Sequence, residues 1–136
     1  MTTFNIRVYG LLIQERQLLA LYEYYAGEKL TKLPGGGLEY GEGTIECLRR
    51  ELREELNLEL KSANHFYTQE DFIESRFRQN EQLLTVYYTI DVHDITTMKI
   101  LDDSIDRAEW LPIDSDLCPF SLPVDRLVFE KLKSAY

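Results

Sequence analysis

The sequence predicts an α/β fold in which a mixed central sheet lies between two helical layers. Composition, the placement of strand-type runs and two switches to a helical period carry that prediction. At 44% hydrophobic and 29% charged residues, the composition is that of a folded chain rather than a disordered one. Runs rich in β-branched and aromatic residues fall early and in the middle, and the apolar period turns helical at Thr44–Leu56 and again at Pro123–Lys133. With 136 residues the chain is expected to be one domain, residues 1–136, able to bury a core without disulfide or metal staples.

Asn5–Ile13 reads as a strand, Gln14-Glu15-Arg16-Gln17 as a polar turn and Leu18–Tyr25 as the partner strand of a hairpin. Ala26-Gly27-Glu28 is a second turn, followed by a short extended piece through Leu33. Pro34-Gly35-Gly36-Gly37 is expected to break all regular structure. Glycine loses more chain entropy on folding than any other residue. Such a run is therefore kept where the backbone turns sharply or lets a ligand come close, or else it forms a flexible surface loop.

From Thr44 to Leu56 the residues Ile45, Leu48, Leu52 and Leu56 fall at i, i+3, i+7 and i+11, one apolar stripe for the core. Gly43 or Thr44 suits the N-cap. Asn57 stands just past the helix end, where a left-handed residue is wanted and asparagine is second only to glycine.

Leu58–Thr68 reads as a strand, Gln69–Asn80 is polar without a clear period, and Leu83–Val92 is the strongest strand pattern in the chain. Asp102–Asp106 is an acidic loop, and Ala108–Leu111 a short strand stopped by Pro112. Pro123–Lys133 carries Val124, Leu127, Val128 and Leu132 at helical spacing, a second amphipathic helix.

The formal net charge of −9 argues against a surface that coats nucleic acid. It leaves room for a phosphorylated small molecule, because a divalent cation can lie between an acidic protein and an anion. Cys47 and Cys118 lack zinc-site spacing and are too few for a disulfide framework, so they read as reduced packing residues. No signal-peptide pattern opens the chain, and no apolar run approaches the ~18 residues of a membrane helix. The expectation is a cytoplasmic protein with no membrane partner.

The first helix carries an unusual acidic face. At about 100° per residue, Glu51, Glu54 and Glu55 share an arc of roughly 100°. Glu51 and Glu55 repel at i,i+4, and both lie in the last two turns, where the macrodipole disfavours negative charge. A hard divalent cation reverses that balance, since Mg²⁺ takes carboxylates, waters and substrate phosphates in an octahedron. While the glutamates are seen alone, a solvated helix face neutralised by Arg49, Arg50 and Arg53 is the commoner explanation.

The residues around that face decide between the two. Gly36 is followed after five residues by Glu42, then after seven by Arg50-Glu51-Leu52-Arg53-Glu54-Glu55-Leu56-Asn57-Leu58. This resembles the signature of the Nudix hydrolases, with Asn57 in place of the usual glycine. Six fixed charged or glycine positions coincide by chance about 10⁻⁷ to 10⁻⁸ of the time per starting position, and the glutamate-rich composition does not close that gap.

The resemblance implies an α/β/α Nudix sandwich with a loop–helix–loop metal site that binds Mg²⁺ or Mn²⁺. It implies Glu54 and Glu55 as main metal ligands and Glu51 as ligand or activator of water. Arg50 would hold a glutamate in place, Glu42 would lie near the metal or brace Arg50, and the backbone of Gly35 or Gly36 would approach metal or phosphate. Asp103 in the acidic loop, with Asp102 and Asp106 nearby, is a further candidate ligand or base.

The implied activity is hydrolysis of a diphosphate linkage in a nucleotide-like small molecule. Phe72-Ile73-Glu74-Ser75 lacks the proline expected of an ADP-ribose subfamily, which leaves a nucleoside diphosphate derivative or a nucleoside triphosphate. A non-catalytic nucleotide- or nucleotide-sugar-binding module, a sensor or regulator, is the alternative, but all four glutamates of the signature are present here. An isoprenoid-diphosphate isomerase would need a catalytic cysteine, and Cys47 faces the core stripe. His65 and His93 read as satisfied or surface residues. Tyr22, Tyr24, Tyr25, Tyr87 and Tyr88 suit base stacking, core packing or a homodimer surface, and Pro119 and Phe120 are candidates for the pocket border.

Overall fold

The computed structural model describes residues 1–136. Its first strand, β1 (Thr3–Gln14), turns back through Glu15 and Arg16 into β2 (Gln17–Tyr25), and Ala26-Gly27 leads into β3 (Glu28–Lys32). Both connections are two-residue hairpin loops with positive φ at each central residue: 51° and 61° at Glu15 and Arg16, 51° and 80° at Ala26 and Gly27. Such turns match the twist of the strands they join.

The glycine run corrects the sequence expectation. Gly35–Gly37 is not structureless but forms a three-residue strand, β4, antiparallel to β1 with Val8 opposite Gly36. Steric need explains the lack of strand-type side chains. A Cβ on Gly35, at φ +138°, would lie 2.1 Å from the Val8 carbonyl oxygen, so only glycine fits the strand against β1.

Helix α1 (Thr44–Leu56) has the predicted bounds. At its N-terminus the Glu46 carboxylate accepts from Gly43 N–H at 2.8 Å. At its C-terminus Asn57 adopts φ 57°, ψ 35°, and Leu58 N–H donates to Leu52 O at 3.2 Å, closing a Schellman turn. The Asn57 side-chain amide also donates to Thr97 O at 3.0 Å, which glycine could not do.

The chain continues through β5 (Leu60–Thr68), β6 (Ile73–Glu74), β7 (Glu81–Val92), a single 3₁₀ turn at Ile95–Thr97, β8 (Ile105–Pro112) and α2 (Pro123–Ala135). Strand β8 starts earlier than the sequence suggested, so Asp106 lies in it rather than in a loop. The polar stretch Gln69–Asn80 contains only the two-residue β6.

The sheet is mixed: β1 and β7 run parallel from Thr3–Glu81 to Leu12–Ile90, and the other pairings are antiparallel. Alternation along the strands feeds two cores. Tyr9, Leu11, Leu18 and Ala20 pack under α2 with Val124, Val128, Phe129 and Leu132. Val8, Leu12, Leu19 and Leu21 pack under α1 with Leu48, Leu52 and Leu56. β1 and β2 thus bury both faces, and a helix covers each side of the sheet, the arrangement of an α/β/α sandwich. No helix is long and apolar enough to cross a membrane.

Candidate active site

Arg50 organises one half of the acidic face. Its guanidinium donates to both oxygens of Glu42, from Nε at 3.1 Å and from Nη2 at 2.7 Å. Nη1 donates to Glu51 at 2.9 Å and to Glu54 at 3.1 Å, and Nη2 also reaches Gly37 O at 2.9 Å. The planar fork suits several carboxylates at fixed angles in a way a lysine would not. The hydrogen bond from Arg50, with the Glu39 N–H, holds the Glu42 carboxyl down at about 2.

The absence of a side chain at Gly36 makes room for this arrangement. A Cβ there would sit 2.7 Å from the Glu51 carboxylate. Short strand and helix therefore approach each other through glycine.

Glu55 faces a different set of partners. It is 4% exposed, accepts from Gly35 N–H at 3.0 Å and from the Lys32 ammonium at 3.3 Å. Lys32 in turn contacts Glu23 at 3.4 Å and donates to Gly35 O at 3.4 Å. Burial pushes the Glu55 carboxyl up, against the lowering effect of Lys32 and the Gly35 amide. Burial would lower Lys32, but the charges on Glu55, Tyr9 and Glu23 outweigh it and hold the ammonium above its usual range.

The carboxylate oxygens of Glu23, Glu55 and Asp102 lie within 4.8 Å of one another. Of the acidic loop it is thus Asp102, not Asp103, that reaches the helix; Asp103 is exposed. Asp102 is set there by a turn in which its Oδ1 accepts from the backbone N–H and hydroxyl of Ser104, at 2.9 and 2.8 Å. Glu51 and Glu54 are turned to Arg50 instead, and Glu54 is 60% exposed with freedom to change rotamer.

The donors of this region are carboxylates plus the Gly35 carbonyl, an all-oxygen set that fits Mg²⁺ or Mn²⁺ and not a thiophilic ion. The nearest sulfur is no nucleophile. Cys47 is fully buried and its thiol points at Gly37 O at 3.5 Å, and burial pushes its pKa up to about 12.

Beside this centre lies a cavity of about 610 Å³. Lys32 and Glu23 belong to both, since they line the cavity and touch each other. Its other walls include Arg7 and Tyr9 of β1, Tyr87 of β7, the segment Ile73–Arg78 and the start of α2. Arg7 Nε donates to the Tyr9 hydroxyl at 2.6 Å. Tyr87 donates to Asp125 Oδ1 at 2.5 Å, while Asp125 Oδ2, buried with its residue at 2% exposure, has no partner. Burial raises the Asp125 carboxyl to about 6, opposed by the Tyr87 hydrogen bond.

Of the candidate tyrosines, Tyr25 and Tyr87 line the cavity, with Tyr25 packed edge-on against Phe77 at 4.7 Å. Tyr22 lies under the Arg107 guanidinium at 4.0 Å, and Tyr88 is hydrogen-bonded to Thr44. Phe120 does not border the pocket: it is 1% exposed in the core against Phe129, and Ser121–Asp125 form that wall instead. His65 pairs with Thr68 at 2.8 Å, and both His65 and His93 are exposed.

Lys32, Glu23 and Asp125 escape sequence reasoning, and within the acidic loop the sequence favours Asp103 over its neighbour Asp102. One signal was available: Asp102-Asp103-Ser104 has the Asp-x-Ser spacing of a turn that fixes its first residue. Glu23 and Lys32 come together through the β2–β3 register, where Lys32 faces Leu21 and Glu23 follows two residues on, and no local pattern encodes that.

The NUDIX domain family matches the chain over residues 3–127. Among solved structures, the chain is similar to a MutT NUDIX hydrolase from Burkholderia pseudomallei, with TM-score 0.79 and 17% identity over 95% of this chain and 98% of that one. A NUDIX hydrolase from Nitrosomonas europaea gives TM-score 0.80 and 21% identity over 96% of this chain and 89% of that one. The ORF135 protein of E. coli gives TM-score 0.80 and 18% identity over 98% of this chain and 91% of that one. At these identities the likeness to solved structures speaks for the fold.

Proposed function

The chain belongs to the NUDIX family and is a hydrolase of phosphoric anhydride bonds, and on that basis we propose that it cleaves a diphosphate linkage in a nucleoside diphosphate derivative or nucleoside triphosphate, with Mg²⁺ or Mn²⁺ held by Glu51, Glu54, Glu55 and the Gly35 carbonyl. One observation carries this reading: an all-oxygen acidic centre, braced by Arg50, shares Lys32 and Glu23 with a cavity large enough for a nucleoside.

Bound there, the cation supplies charge neutralisation at the phosphate oxygens and a more acidic water. The chain supplies the rest. Glu42 fixes the Arg50 guanidinium, which holds Glu51 and Glu54 at the surface of α1. A carboxylate oxygen of Glu51 or Glu54 takes the proton of the attacking water. Half-buried Arg7 and buried Lys32, cations of the cavity wall, offer donors to the phosphates. Tyr25 and Phe77 provide aromatic surface for the group beyond them.

A substrate panel with Mg²⁺ and with Mn²⁺ tests the reading: ADP-ribose, nucleotide sugars, dinucleoside polyphosphates and nucleoside triphosphates. Release of mononucleotide or phosphate from one class is expected. Tight binding with no release from any class would instead mark a nucleotide-binding module.

A further inference from the structure

The Lys32 ammonium sits where a divalent cation has its best donors. It lies 3.3 Å from Glu55 Oε2, 3.4 Å from Gly35 O and 3.4 Å from Glu23 Oε2. Glu55 and Gly35 are two of the ligands proposed above, and Asp102 brings a third carboxylate oxygen to within 4.8 Å of those of Glu23 and Glu55. An ammonium and a divalent ion cannot share these oxygens at such spacing without strong repulsion.

The side chain also has somewhere to go. Lys32 lines the cavity, and its four-carbon stem is flexible enough to carry the ammonium from one side to the other. Arg7 already provides positive charge on the cavity side.

We infer that Lys32 is an exchangeable internal counter-ion: divalent metal displaces its ammonium from Glu55, Glu23 and Gly35 O, and the ammonium then binds the substrate's diphosphate in the cavity. This rests on the metal-site reading above. It makes metal loading and anion binding cooperative through one side chain, since each ligand favours the same position of the lysine. Lys32 is a positioning residue for metal entry and a contact for the phosphate. Were it merely neutralising buried acids, its removal would destabilise the fold, and imidodiphosphate would tighten Mn²⁺ binding equally in wild type and in Lys32→Met.

Binding of Mn²⁺ alone, followed through the paramagnetic resonance signal of the free ion, separates the two roles. Lys32→Met should bind Mn²⁺ about tenfold tighter than wild type, because the site gains a full net negative charge. Lys32→Arg keeps the charge and should bind no tighter than wild type. Imidodiphosphate, a non-hydrolysable inorganic probe, should tighten Mn²⁺ binding more in wild type than in Lys32→Met.

Equal or weaker Mn²⁺ affinity in Lys32→Met, with wild type still binding, overturns the counter-ion role alone. Failure of both proteins to bind Mn²⁺ overturns the metal-site reading itself. A Lys32→Met chain that folds only when Mn²⁺ is added supports exchange, since metal then does what the ammonium did. One that folds in neither condition assigns Lys32 a structural role and ends the proposal.

Discussion

Glu55 and Asp125 are both buried carboxylates with one partner each, Lys32 and Tyr87, on the wall of the same cavity, yet they are finished differently. Glu55 has a partner for each oxygen, the Gly35 N–H and the Lys32 ammonium. Asp125 has the Tyr87 hydroxyl on one oxygen and nothing on the other. Burial raises the pKa of both. The difference lies in the partners: a lysine on a flexible stem can be exchanged for another cation, whereas a tyrosine on a central strand is fixed. The contrast suits a site that trades cations at one place and receives a hydrogen-bond donor at the other.

The largest expected effects fall on the Glu55 side. Glu55→Gln and Glu54→Gln should each lower Mg²⁺-dependent kcat by about 100-fold or more. Because Glu54 is 60% exposed, Glu54→Gln should melt like wild type. Steady-state rates at saturating Mg²⁺ decide this, and near-normal turnover in both variants would remove the ligand assignment. Arg50→Ala comes next, with kcat expected to fall about 10–100-fold, because Arg50 hydrogen-bonds Glu51 and Glu54 and in the proposed mechanism orients them rather than touching substrate. A large rise in KM with unchanged kcat would place it on the substrate instead.

Asp125→Asn sharpens the other side of the comparison. Removing a charged acceptor should raise KM about tenfold and leave kcat nearly intact, the cost of one charge-assisted hydrogen bond. The same variant changes the pH profile of stability. A carboxyl raised from its ordinary value of 3.8 to about 6 keeps its proton in the folded chain after the unfolded chain has lost it. Stability from this group is therefore present below pH ~4 and is lost as pH rises through about 6, by an amount on the order of 3 kcal/mol. Urea midpoints measured across that window should flatten in Asp125→Asn; an unchanged slope would show that folding does not raise the Asp125 pKa.

Asn57→Gly is the smallest effect and touches neither carboxylate. Glycine relieves the left-handed backbone at φ 57°, but the variant loses the bond from Asn57 to Thr97 O. The two should nearly cancel, to within about 1 kcal/mol in a thermal melt.

The sequence makes some of this visible and hides the rest for identifiable reasons. Helix α1 is legible to its ends because apolar period, cap and Asn57 agree. Both sides of the sandwich are legible because apolar residues on the strands and the two helices leave two faces to cover. The Gly35–Gly37 strand is hidden because its pairing follows from what glycine lacks, room-taking atoms between β1 and Glu51, rather than from strand propensity. Arg50, Glu42, Glu51, Glu54 and Glu55 are legible as a spaced motif, but not the division that turns Glu55 to Lys32 and Glu54 to Arg50. Asp125 resembles an acid placed for the helix dipole, and only the approach of Tyr87 from β7 makes it a buried one.

The proposed activity depends on a cation held by the end of α1 and the glycine strand. The direct test is the anomalous difference map of crystals soaked in Mn²⁺. The predicted result is a peak at bonding distance from Glu55, the Gly35 carbonyl and at least one of Glu51 and Glu54, with Lys32 turned away from Glu55. A map with no peak at α1, in which Glu51 and Glu54 stay on Arg50 and Lys32 stays on Glu55, would contradict it.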